Sequence, residues 1–294
     1  MSVEEADSVN RRLQRLAREH HAHNTQALQI LYAIEGFLRR LSISSYREQL
    51  VLKGAMLLAV LDARRMTKDA DLSAHGIPDD ERSVAAVVAE VATIALPESD
   101  GILFDPASIT TETMREGASY SGVRAKLPAL IGSARVVVTL DFSFGDPGKV
   151  EEILYPEILG GAGIALRAYP IERTLAEKIA TMMERGELNT RDRDFADVWV
   201  LSRLHTIDAR TLRTTLQAVV EHRRHPLLPL SEALVELPNR QQSYDALRTR
   251  ASFTVAPPGR WDELIAEVVA FVDPLTHEDA VLLTSWSPQT CRWT

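Results

Sequence analysis

Apolar positions along this chain change their period twice, and the changes divide it into parts. Val9, Leu13 and Leu16 recur at helical spacing, and Leu28, Leu31, Ile34, Phe37, Leu38 and Leu41 do so again, which predicts two helices within the first forty residues or so. A short strand over Leu50 to Lys53, a short helix over Ala55 to Leu61 and a strand over Asp69 to Ser73 follow. Pro78-Asp79-Asp80 then opens a helix running to about Leu96. Beyond Pro97 the period falls to two. Ile102 to Phe104, Ser108 to Met114, Ser119 to Leu127 and Arg135 to Phe144 are predicted strands, parted by Gly, Pro and Asp turns. Gly145-Asp146-Pro147-Gly148 and Gly160-Gly161-Ala162-Gly163 break the pattern, and Ile164 to Ala168 makes one last short strand. From Pro170 onward the period is helical, over Pro170 to Arg185, Arg191 to Leu204, Asp208 to His222, Pro238 to Arg250 and Arg260 to Val272. The change of texture near residue 165 predicts an α/β domain with N-terminal helices over 1–165 and a helical domain over 166–294.

Composition narrows the setting. A chain of 294 residues, 45% hydrophobic and 25% charged, buries a sizeable core and reads as an ordinary soluble globular protein. Its longest apolar stretch, Val84 to Leu96, is interrupted by Glu90 and is too short to span a bilayer, so no membrane partner is expected. The acidic start Met1-Ser2-Val3-Glu4-Glu5 shows no secretory signal, and the single Cys291 suits a reducing compartment, so a cytoplasmic location is expected. A net charge of −8 argues against a surface that coats nucleic acid as a whole, but leaves room for a local basic track. Arg11, Arg12, Arg15 and Arg18 form one cationic cluster, Arg39 and Arg40 a second, and Arg64, Arg65 and Lys68 a third. The first two read as solvated helix faces before they read as a phosphate track; the third abuts the chain's most informative acidic motif.

That motif is Arg65-Met66-Thr67-Lys68-Asp69-Ala70-Asp71. Carboxylates at i and i+2 of a strand point to the same side. At that spacing Asp69 and Asp71 can hold Mg²⁺ or Mn²⁺, hard cations that prefer oxygen ligands and nucleotide phosphates. Gly54, between an apolar strand and a helix, lets backbone N–H groups approach a phosphate. Asp141 closes the alternating run Val136-Val137-Val138-Thr139-Leu140-Asp141 on the Val137–Thr139 face, where it would add a third metal ligand or take the proton of an attacking hydroxyl. Alternatively, it caps a turn into Gly145-Asp146. Together these residues point to nucleotidyl transfer from an NTP. Farther on, Ala176-Glu177-Lys178 lies on a predicted helix whose Lys178 either reaches a phosphate or forms a surface ion pair. Asp194 and Asp197, three residues apart on the next helix, could grip an Arg, Lys178 or a ribose.

Lys53-Gly54-Ala55-Met56-Leu57, Arg65-x-Thr67-x-Asp69-x-Asp71, Thr139-Leu140-Asp141, Ala176-Glu177-Lys178 and Arg191-Asp192-x-x-x-x-Asp197 occur in that order over about residues 45 to 200. This arrangement resembles the AbiEii-type nucleotidyltransferase toxins of type IV toxin–antitoxin systems, which include the MenT toxins of mycobacteria. The resemblance implies an α+β fold, a polymerase-β-like nucleotidyltransferase domain with a mixed sheet followed by a mainly α-helical domain, with the active site in the cleft between. It implies metal binding by Asp69 and Asp71, nucleotide-phosphate contact by Lys178 and a required acid at Asp197. Lys53, Gly54, Thr67, Lys68 and Asp194 are the further candidates for nucleotide binding. The activity implied is metal-dependent transfer of NMP from an NTP to an RNA end, the tRNA 3′ end foremost, with a cognate antitoxin as partner. Transfer to a small molecule or a protein, or nucleotide binding without catalysis, are the alternatives. The chain departs from the family at Ala55, where a hydroxyl residue often follows the glycine, and Lys53 adds a positive charge beside it.

Overall fold

The computed structural model describes residues 3–19, 24–116, 120–145, 148–251 and 253–294. Asp146 and Pro147 of the predicted 145–148 break, Ser119 at the start of one predicted strand, and Met1-Ser2 lie outside the described residues. The chain forms two compact units, one of residues 1–60 with 64–169, the other of 61–63 with 170–294. A boundary at 165 falls inside a strand of the first unit, and the division comes at Tyr169 and Pro170.

The first unit runs α1 (Val3–Glu19), α2 (Thr25–Ser42), β1 (Leu50–Lys53), α3 (Gly54–Leu57), β2 (Asp69–Ala74), α4 (Glu81–Thr93), β3 (Ile102–Phe104), β4 (Thr110–Glu116), β5 (Tyr120–Ile131), β6 (Ala134–Phe144), β7 (Glu151–Tyr155) and β8 (Ile164–Ala168). Helix α2 starts where the Asn24 side chain accepts the Ala27 N–H at 2.7 Å, and α4 where Asp80 accepts from Ser83 N–H at 2.9 Å. Its helix is three residues shorter than predicted, because Ile94 is already extended. Likewise α3 spans only Gly54–Leu57 and gives way to turns, where a longer helix to Leu61 is predicted.

The sheet has the order β3-β5-β6-β2-β1-β8-β7, with β4 pairing along the other end of β5. It is mixed: β2 and β6 are parallel, as are β1 and β8, whereas β1–β2, β5–β6 and β7–β8 are antiparallel. Strands β5 and β6 join through Gly132-Ser133. Gly132 has φ +59°, as the first central residue of a type II′ hairpin requires. Alternation gives each inner strand a buried face, Val136, Val138, Leu140 and Phe142 on β6 and Val123, Ala125, Leu127 and Ala129 on β5, against which α2 and α4 pack. The opposite face carries the polar positions of the same strands. Strand β6 runs on to Phe144, so Asp141 sits within the strand, and its expected place at the strand end is corrected.

Beside the apolar core lies a buried ionic cluster. Glu35 of α2 is fully buried and accepts the Ile158 N–H at 3.0 and 3.1 Å, with Arg64 and Tyr155 at 3.4 Å. Arg64 also bonds the Pro156 carbonyl, and Arg39 bridges Glu157 at 2.5 Å and Asp100 at 3.3 Å. Burial pushes the Glu35 carboxyl up to about 7, against the opposing pull of the Ile158 N–H and of Arg64 and Arg39.

The second unit holds α5 (Ile171–Arg185), α6 (Asp192–Leu204), β9 (Ile207–Asp208), α7 (Ala209–His222), α8 (Leu230–Ala233), α9 (Gln241–Arg250), α10 (Trp261–Val272), β10 (Ser285–Ser287) and β11 (Arg292–Trp293). Phe195 and Trp261 meet edge to face at 5.3 Å, and Phe271, Trp286 and Trp293 form a second aromatic group with centroids 4.8–5.4 Å apart. Residues 61–63 belong here: His205 bonds the Leu61 carbonyl at 2.8 Å and Thr254 that of Asp62 at 2.6 Å. No helix among the described residues is long and apolar enough to cross a membrane.

Candidate active site

The polar face of the first unit's sheet is built by register. Lys53 of β1 faces Asp71 of β2, Asp71 faces Asp141 of β6, and Asp141 faces Arg124 of β5. Directly paired residues share a face, so these four side chains form one row across adjacent strands about 4.8 Å apart. Two residues along, Asp69, Thr139 and Lys126 form the next row. Asp69, Asp71 and Asp141 are therefore brought to one face of the central strands.

Each carboxylate has a distinct local partner. Thr67, buried just before β2, donates its hydroxyl to Asp69 Oδ1 at 2.6 Å. The Asp71 carboxyl lies against Gly54: a Cβ there would stand 2.0 Å from Asp71 Oδ2 and 2.6 Å from its Cγ. With φ +67°, Gly54 holds a conformation that side chains disfavour as well. The space beside this glycine, expected to admit a phosphate, is filled by Asp71. Asp141 receives a bidentate fork from Arg124, Nε to Oδ1 and Nη2 to Oδ2, both at 2.7 Å. These bonds, with the charges of Asp141, Glu112 and Asp69, hold Arg124 charged more firmly than an ordinary guanidinium, against its partial burial. Lys53 lies over the Tyr169 ring at 5.9 Å, and Lys68 is exposed.

Among the described residues no group of three or more His, Cys, Asp and Glu is placed to hold a metal ion. The expected third ligand, Asp141, has both oxygens engaged by Arg124. What remains is a two-carboxylate oxygen set, Asp69 and Asp71. That chemistry fits Mg²⁺, which is commonly held by one or two carboxylates and completed by phosphate oxygens and water.

In the second unit, Lys178 of α5 donates to Asp194 at 2.9 Å and Asp197 at 2.7 Å, both on the first turns of α6. All three side chains are at most 13% exposed, so the surface-pair alternative for Lys178 is replaced by a largely buried clip between two helices. Neighbouring Glu177 pairs with Arg173 at 2.9 Å.

Arg124 was not among the residues singled out from the sequence. Its signal was present, because Val123-Arg124-Ala125-Lys126-Leu127 alternates buried apolar residues with cations on the open face. The partner, 17 residues away on β6, becomes evident only through pairing.

A family model described as nucleotidyl transferase AbiEii toxin, type IV TA system, matches residues 36–282. No curated protein sequence is significantly similar to the chain. Among solved structures, JHP933 from Helicobacter pylori is similar at 16% identity and TM-score 0.43, over 73% of this chain and 89% of that one. An antigenic nucleotidyltransferase-like protein from Paracoccidioides brasiliensis is similar at 18% identity and TM-score 0.37, over 72% and 93%. With its family model matched over most of its length, the chain belongs to the AbiEii nucleotidyl transferase toxins of type IV toxin–antitoxin systems.

Proposed function

We propose that this protein is a metal-dependent nucleotidyltransferase toxin that transfers NMP from an NTP to an RNA acceptor, the tRNA 3′ end, and so blocks translation until a cognate antitoxin neutralises it. Membership of the AbiEii family supports the reaction class. The observation that carries the reading to residues is the placement of Asp69 and Asp71 on one face of β2, with Thr67 fixing the first and Gly54 making room for the second.

In this reading Asp69 and Asp71 hold Mg²⁺ or Mn²⁺. When bound, the ion supplies charge neutralisation for the triphosphate and a template for in-line attack at the α-phosphorus. Thr67 keeps Asp69 in its ligating rotamer. Asp141 receives the proton of the attacking hydroxyl or orients that hydroxyl. Lys53 and Lys68 supply positive charge for nucleotide phosphates near the two ligands, and Gly54 leaves room for the Asp71 carboxyl. Lys178, with Asp194 and Asp197, enters on the strength of the family resemblance, the lysine as a triphosphate contact and Asp197 as a residue needed for activity. RNA read by shape and backbone suits an acidic protein whose cations are grouped rather than spread.

The test is direct. Purified protein is incubated with Mg²⁺, total RNA and each α-labelled NTP in turn. Label in a tRNA-sized band that vanishes in Asp69→Ala is the expected result. Label in a polypeptide or small molecule would transfer the reading to another acceptor. Saturable NTP binding with no label transferred would leave a binding protein.

A further inference from the structure

The nucleotidyl-transfer reading assigns no task to Arg124, yet Arg124 is the only residue among those described that hydrogen-bonds Asp141. Along the row the charges run plus, minus, minus, plus, from Lys53 through Asp71 and Asp141 to Arg124. Two carboxylates on neighbouring strands repel each other unless each has a counter-charge. The fork from β5 engages both oxygens of Asp141, one bond to each, from the side away from Asp71. Lys126, the other cation on this stretch of β5, is engaged elsewhere, with Glu112 at 3.1 Å.

We propose that Arg124 is a positioning residue, a latch that keeps Asp141 out of the metal's ligand set in the substrate-free protein. The ion then has Asp69 and Asp71 as its ligands, and Asp141 becomes available only when Arg124 lets go. The proposal rests on the reading above that Asp69 and Asp71 hold a divalent cation. It differs from a three-carboxylate site in a measurable way: without nucleotide, Asp141 contributes nothing to metal affinity, and removing Arg124 makes it contribute.

The experiment measures Mn²⁺ binding to the full chain, without nucleotide, by electron paramagnetic resonance. Groups that hold a metal's ligands commonly change its affinity by about 10- to 100-fold. Arg124→Gln is therefore expected to bind Mn²⁺ about tenfold more tightly than the wild type. Asp141→Asn alone is expected to leave the affinity within about twofold of wild type, and Arg124→Gln added to Asp141→Asn to bring no comparable gain. Arg124→Lys, which retains the charge and offers a single-point bond, should fall between, and it carries the same test if Arg124→Gln does not fold. A tenfold loss in Asp141→Asn would overturn the latch, since Asp141 would already be a ligand. So would an equal gain from Arg124→Gln in both backgrounds, which would report only the removal of a positive charge. Mn²⁺ binding in wild type that disappears in Asp69→Ala, with no effect of Arg124→Gln, would sink the latch and leave the metal reading standing. No Mn²⁺ binding by either protein would overturn both.

Discussion

At residue scale, Gly54 and Asp71 compete for one small volume. Alanine at Gly54 adds a Cβ that would overlap the Asp71 carboxyl, in a backbone conformation that costs a non-glycine residue about 1–2 kcal/mol. Chemical denaturation of Gly54→Ala should therefore show a loss beyond that backbone cost. In an Asp71→Ala background the excess should disappear; additive losses would show that Asp71 does not occupy the space. Thr67 offers a finer probe. Thr67→Val keeps the shape and deletes the hydroxyl that fixes Asp69. A hydrogen bond to a charged acceptor contributes roughly 1.5–3 kcal/mol, so nucleotide transfer should fall about tenfold or more while the fold survives. An unchanged transfer rate would mean that Asp69 needs no such support.

At the scale of elements, the α5–α6 clip gives Lys178 a structural role that its family role does not require. Lys178→Ala removes the ammonium that pairs with Asp197, which is 3% exposed, and breaking such a pair costs about 3–5 kcal/mol. A marked loss of stability is expected in thermal melts. Lys178→Ala combined with Asp194→Asn and Asp197→Asn should recover much of it. Transfer that recovers along with stability would limit Lys178 to the fold, whereas a stable triple variant less active than Asp194→Asn/Asp197→Asn with Lys178 intact would support a phosphate contact. Legibility in the sequence follows the same physics. Strand β6 was readable because its burial is one-sided and periodic, α2 because its large apolar residues recur at helical spacing although Leu31 to Leu38 are buried on every side, and α4 and α7 because Asp80 and Asp208 cap them with side-chain bonds. Strand β7 was missed because Glu151-Glu152-Ile153-Leu154-Tyr155 lies at a sheet edge, with only Tyr155 buried, and so shows no alternation. Strands β9, β10 and β11 are two or three residues long, too short to carry a period. The acidic pair at Asp69 and Asp71 was legible as a local spacing; the Arg124 fork was not, because it joins two strands.

On the scale of the whole molecule, the buried cluster around Glu35 couples folding to pH. Its carboxyl sits at about 7 in the folded chain, above its ordinary value of 4.5. Between those values the folded protein keeps a proton that the unfolded chain has released, so stability declines as pH rises through this window. Below about 4.5 the contribution is fully present, and above about 7 the cost of the buried charge is fully in place. The cost is on the order of 3 kcal/mol at most. Denaturation curves at pH 5 and pH 8 should show a larger decline in wild type than in Glu35→Gln; equal declines would show that Glu35 does not titrate in that range. The same cluster ties the 156–158 segment to α2 and to Arg64, a few residues before Thr67, so its variants should also be assayed for transfer.

The place of β8 in the sheet order has a consequence for how the protein is made. Strand β1, which ends at Lys53 and leads into Gly54, is flanked by β2 on one side and on the other by β8, where Leu52 pairs with Ala168. A ribosome delivers β2 soon after β1, but β8 emerges only after β3 to β7 have been made. Throughout that interval one edge of β1 offers unpaired N–H and C=O groups to any passing strand, and closing it requires a contact between parts of the chain far apart in sequence. The strand that leads into the candidate active site is thus among the last to be enclosed, and a nascent chain halted before Ile164 carries the acidic motif on an unfinished sheet.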